Sequence, residues 1–169
     1  ITKEEYDAFV ENSSKSHFLQ SYDWGTFAQK EKHLTPHYLA LEEEGKIIAA
    51  TLLLEKKLPF GYTYLYAPRG FVLDYQNTTL LKTFTDEVNK FAKKRKAIFI
   101  KIDPDIIVKR IDWKGEEKET AYDRNHFVKQ MKSIGFRHLG WTQAFETMQP
   151  RFSFRIDNHQ TKEEIYDHF

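Results

Sequence analysis

The stretch HYLALEEEGKIIAATLLLEKK, residues 37–57, sets two apolar runs on either side of Glu43-Glu44-Gly45-Lys46. A glycine in a short polar break lets the backbone take a positive φ, so the stretch predicts a β-hairpin. Outward from it, strands alternate with helices. YTYLYA, residues 62–67, is a further strand after Gly61. From Thr78 to Arg95 the residues Leu80, Leu81, Phe84, Val88, Phe91 and Ala92 recur at helical spacing, and AIFIKID, residues 97–103, follows directly. This pattern predicts a helix feeding a buried strand. HFVKQMKSIGF, residues 126–136, is a second such helix, with Phe127, Met131 and Ile134 on one face and Gly135 as its C-cap. RFSFRID, residues 151–157, alternates like a final strand, and Asp112 to Asn125 is polar enough for an exposed loop. Before the hairpin, TKEEYDAFVE has Thr2 and Glu5 at capping-box spacing, and SYDWGTFAQKEK opens a helix capped by Ser21 or Asp23. Together these elements imply an α/β fold with a mixed sheet flanked by helices.

The 169 residues suffice for one domain with a substantial core, and 40% apolar with 15% aromatic content argues for a packed globule. The most apolar stretch, Ile47 to Leu54, is eight residues broken by Thr51, less than half of a membrane span. Zero cysteines exclude a disulfide framework, a thiol nucleophile and a cysteine-based zinc site, and fit a reducing cytoplasm. Net charge is +1, yet residues 59–115 carry 11 Lys/Arg against 6 Asp/Glu. Much of that excess is KKRK, Lys93 to Lys96, at a helix end, where it either complements the helix dipole or meets an anionic partner such as RNA or membrane lipid.

Several chemistries are absent. No G-x-S-x-G, Walker or G-x-G-x-x-G motif occurs, and the seven glycines stand singly. His33 and His37 have metal-ligand spacing, but Pro36 between them breaks the helix that spacing would need. A small-molecule N-acetyltransferase would suit the element order, but its glycine-rich cofactor loop is missing.

Four motifs remain: FLQSYDWG (residues 18–25), YAPRGFVLDY (66–75), IKIDPD (100–105) and MQPRFSF (148–154). In this order, with a Gly-Phe pair between the last two, they resemble the Fem-type aminoacyltransferases, which build peptide bridges on peptidoglycan precursors. YAPRGFVLDY and IKIDPDI are most similar to the family's glycyltransferases that add the first bridge residue. The resemblance covers the whole chain and implies one N-acyltransferase (GNAT)-like lobe over residues 1–169. Such proteins have two packed lobes, so a fragment is expected, ending at Phe169 inside the helix-like TKEEIYDHF.

The resemblance implies tRNA-dependent transfer of an amino acid, here glycine, to the side-chain amine of the stem-peptide lysine. The implied partners are an aminoacyl-tRNA and a lipid-linked or nucleotide-linked muropeptide, met in the cytoplasm near the membrane by a monomer. A single lobe is expected to be inactive alone. Because the ester is already activated, no cofactor, metal or nucleoside triphosphate is required; the enzyme must position two anionic substrates and stabilise an oxyanion. A non-catalytic lobe that grips a phosphorylated precursor or a protein is the alternative.

Arg69, between Pro68 and Gly70, presents a guanidinium able to fork onto phosphate or carboxylate, or else pairs internally with Asp74. Asp103 and Asp105 flank Pro104 after a strand and are the candidate catalytic pair. An ordinary carboxylate is a weak base for an ammonium, so they suit orientation of the amine better than proton abstraction; an Asp-Pro turn is the structural alternative. Lys101 is a further candidate contact. Gln20 and Trp24 serve either substrate or a cap and aromatic anchor. Family members often place a lysine four residues after this Trp, where this chain has Ala28, leaving Lys30 or Lys32 to serve from the next turn. Gln149, Pro150 and Arg151 suit either substrate or a joint between lobes.

Overall fold

The computed structural model describes residues 1–112, 114–120, 123–140 and 161–166, which fall in two compact units, 1–137 and 138–169. In the first unit, the hairpin comprises β1 (Thr35–Glu43) and β2 (Lys46–Lys57), antiparallel, with Glu44 and Gly45 both at positive φ in the two-residue turn. Two successive left-handed residues match the twist of paired strands, and glycine takes the second without strain. β3 (Thr63–Ala67) adds antiparallel to β2, and α3 (Thr78–Lys94) crosses over to β4 (Ala97–Ile102), which pairs parallel with β3. The sheet order is β1-β2-β3-β4.

Side chains alternate across the sheet, and each face has its own helices. Leu53, Leu65 and Ala67 pack with Leu81, Phe84, Val88 and Ala92 of α3 and with Met131 of α4 (Arg124–Ser133). Ala50, Leu52, Leu54 and Tyr66 pack with Tyr6 and Val10 of α1 (Lys3–Glu11) and Ala28 of α2 (Tyr22–Lys32). Thr2 and Glu5 form the expected capping box, and Ser21, rather than Asp23, caps α2. In the second unit, α5 (Lys162–Tyr166) opens with Thr161 and Glu164 capping one another.

Three expectations change. β4 is not fully buried: Ile98 and Phe99 are exposed, and among the described residues β4 pairs with β3 alone. The polar stretch after it holds a small hairpin, β5 (Lys109–Ile111) with β6 (Glu117–Thr120), rather than an open loop. Arg95 of KKRK is the partner of a buried acid: its Nε and a terminal nitrogen bond Glu55 at 2.7 and 3.0 Å, while His37 Nε2 lies 2.9 Å from the same carboxylate. His33, by contrast, ends α2 in a left-handed conformation, so the two histidines serve different elements. The expected strand RFSFRID lies outside the described residues.

Candidate functional site

Because β3 and β4 run parallel, their C-terminal ends open at the same edge of the sheet, where α/β folds place ligands. Ala67 ends β3, and the Gly70 N–H closes a turn onto its carbonyl at 3.1 Å, with Pro68 second and Arg69 third. Gly70 has φ of 78° as its residue type permits, but Arg69 has φ of 60° as well. A left-handed arginine costs about 1–2 kcal/mol, so something must hold it. Asp103 does: Oδ1 accepts the Arg69 backbone N–H at 2.8 Å and Oδ2 accepts the Tyr66 hydroxyl at 3.0 Å. One carboxylate from the β4 end thus clamps the β3 end. Burial pushes the Asp103 carboxyl above the ordinary aspartate range, against the pull of those two donors.

Gly70 is required for a second reason. A β-carbon there would stand 2.4 Å from the Tyr75 hydroxyl and 2.8 Å from the Pro104 backbone. That hydroxyl accepts the Phe71 N–H at 2.7 Å, so YAPRGFVLDY closes on itself through its last tyrosine. From below, fully buried Gln20 donates to the Pro68 carbonyl at 2.6 Å and accepts the Leu52 N–H at 2.7 Å. Leu52 lies where β2 has parted from β3, between the Leu54–Tyr66 pair and the Ala50–Val72 bridge. Gln20 fills that gap and fixes the turn to the sheet.

The guanidinium so presented is incompletely used. Among the described residues its nearest charged partner is Asp105, with a terminal nitrogen 3.9 Å from Oδ1, and its Nε is buried without a hydrogen-bond partner. Asp74 does not pair with it; that carboxylate is exposed and accepts the Gln76 N–H. His17 completes the neighbourhood. Its Nδ1 accepts the Leu19 N–H at 3.1 Å, its ring stacks on Phe18, and burial together with the Arg69 charge holds it below the usual histidine range. Nothing in the sequence marks His17 except its place one residue ahead of FLQSYDWG.

The structure therefore gathers Gln20, Arg69, Asp103 and Asp105 at one edge. Lys101 lies beside them, its Nζ 5.7 Å from the centre of the Tyr66 ring that Asp103 holds. Trp24 reaches the group through Phe18, edge-on at 5.7 Å, and also carries Lys32 Nζ at 5.1 Å over its ring. Lys30 is exposed about two and a half turns along α2 from Ser21 and does not join the cluster. Ala28, where the family often has lysine, is buried in the core. Arg151 lies outside the described residues. A fixed, partly exposed cation beside an exposed carboxylate can hold an anion and orient an amine next to it.

The family model described as FemAB family matches residues 1–169. The chain belongs to the FemAB family. Among curated FemAB-type relatives, "Lipid II:glycine glycyltransferase" of Staphylococcus haemolyticus (strain JCSC1435) is 34% identical and that of Staphylococcus aureus (strain MRSA252) 33% identical, each over all of this chain. The chain spans 38% of either relative. A crystal structure of FemX superposes on 89% of the chain with a TM-score of 0.71 and 31% identity, the match covering 35% of that protein. The two staphylococcal relatives carry the name of a glycyltransferase of lipid II. The FemAB architecture here is the expected mixed sheet flanked by helices, and among the described residues no helix is long and apolar enough to cross a membrane.

Proposed function

We propose that this chain is one lobe of a glycyltransferase that moves glycine from an aminoacyl-tRNA to the lysine side chain of a lipid-linked muropeptide, at the inner face of the membrane. The observation that carries this reading is the strained, clamped Arg69, whose guanidinium remains partly exposed beside Asp105. It is a donor set held for an anionic group of the acceptor, the diphosphate or a peptide carboxylate. Asp103 has both oxygens engaged in the clamp and serves as a positioning residue. Asp105, exposed beside the guanidinium, is the carboxylate left to orient the incoming amine. The neutral amine attacks the glycyl ester carbonyl, the oxyanion collapses, and the tRNA hydroxyl leaves with the proton lost by the amine. Bond making and breaking balance without any oxidant or nucleotide.

The test is transfer by the full-length protein from glycyl-tRNA to lipid II, read by mass spectrometry. One glycine on the lysine amine is the expected product, and acetylation of that amine should abolish it. Glycine added to the acetylated precursor, or none added to either, would overturn the reading.

A further inference from the structure

At the opposite end of β3 from Arg69, the chain makes a knuckle that the transfer reading does not use. β2 ends in Lys56-Lys57, and Leu58 and Tyr62 close Pro59-Phe60-Gly61 through a 2.8 Å bond from the Leu58 N–H to the Tyr62 carbonyl. Phe60 stands at the tip with φ of 61° and its side chain 96% exposed. A phenyl ring in water on a left-handed backbone adds no packing to the isolated fold and is left available to an external partner.

Cations surround it. Thr63, the first residue after the knuckle, donates from its N–H to the Lys96 carbonyl at 3.2 Å and from its hydroxyl to the Arg95 carbonyl at 2.9 Å. This staples the end of α3 to the base of the knuckle. Lys56, Lys57, Lys93, Lys94 and Lys96 are all exposed at this end. Glu55, the adjacent acid, is buried and consumed by Arg95. The neighbouring surface is apolar: Tyr62 is half exposed, Phe99 stacks on Tyr64 at 5.2 Å, and Ile98 is 57% exposed.

We infer that this knuckle docks the protein on an anionic phospholipid surface, with Phe60 inserted at the headgroup boundary and the lysines on lipid phosphates. One apolar anchor binds a bilayer only weakly and a basic cluster binds only a charged one; stable peripheral binding takes both signals, and both are present here. Aromatic rings favour the membrane interface. An exposed isoleucine suits acyl chains and offers nothing to a stacked base, which favours lipid over RNA as the occupant. β3 separates the knuckle from Arg69 by roughly 17 Å at about 3.3 Å per residue, so in the docked state Arg69 would meet the stem peptide rather than the diphosphate at the surface.

The experiment is co-flotation of the full-length protein with vesicles of phosphatidylglycerol and phosphatidylcholine, against phosphatidylcholine alone, with no muropeptide present. Its outcome is therefore independent of the transfer assay. Binding to the anionic vesicles only, weakened by salt, is expected. Phe60→Ser should lower partitioning about tenfold or more with unchanged melting temperature, and Phe60→Trp should show a blue-shifted emission on binding. Failure to float, which would also reveal a surface covered by the rest of the protein, overturns the inference. So does a Phe60→Ser protein that floats normally, or one that loses tRNA binding while keeping its hold on vesicles.

Discussion

Replacing Arg69 with glycine separates a ligand grip from a structural brace more sharply than any conservative change. The substitution relieves a left-handed conformation costing about 1–2 kcal/mol and removes a buried Nε without a partner, a penalty of about 1–3 kcal/mol. Against that, glycine frees the unfolded chain by roughly 0.5–1 kcal/mol. Loss of three largely buried stem methylenes costs about 2 kcal/mol at about 0.8 kcal/mol each. The terms offset to within about 1 kcal/mol of zero, so the melting temperature should stay within about 4 °C of the parent. The Asp103 bond to the residue 69 N–H survives, because it is made to backbone. Affinity for the muropeptide precursor should nevertheless fall at least about tenfold, the worth of a hydrogen-bonded charge. Calorimetric titration of the full-length protein beside a thermal melt measures both. Unchanged affinity with a fall of more than about 8 °C would refute the reasoning, since it would mean that the guanidinium holds the loop together.

Gly70→Ala meets the Tyr75 hydroxyl and the Pro104 backbone at once and demands a positive φ, so a loss of about 2–4 kcal/mol is expected in chemical denaturation. Gln20→Leu keeps the volume but orphans the buried Leu52 N–H; a stability loss of about 1–3 kcal/mol should appear, with faster hydrogen exchange at the Ala67–Gly70 turn. The Glu55 carboxyl is held below its usual range chiefly by its hydrogen bonds to Arg95, so its contribution is complete above pH 4.5, the ordinary value, and disappears as pH falls through the depressed folded value. Arg95→Leu should therefore flatten the acid limb of a stability profile measured below pH 4.5, and a limb of undiminished slope would count against this assignment.

Local chemistry made much of this protein legible from its sequence. The Glu44-Gly45 turn, the Thr2 cap, and the helical spacing of Leu81, Phe84 and Val88 depend on residues within a few positions of one another, and all appear where the pattern placed them. The four-motif order likewise pointed to the family, because motif order is a property of the chain. What the tertiary structure alone decided involves partners far apart. Asp103 looked like a group for the substrate amine, yet the parallel pairing of β3 and β4 brings its carboxylate onto the backbone of Arg69, 34 residues away. Gln20 looked like a substrate contact or part of a cap, and the parting of β2 from β3 makes it the plug beneath Pro68, 48 residues on. Arg95 looked like one of four equivalent cations until Glu55, on another strand, claimed it. Periodicity reports which face of an element is buried, but the identity of the atoms waiting on the other side is set by how the elements meet.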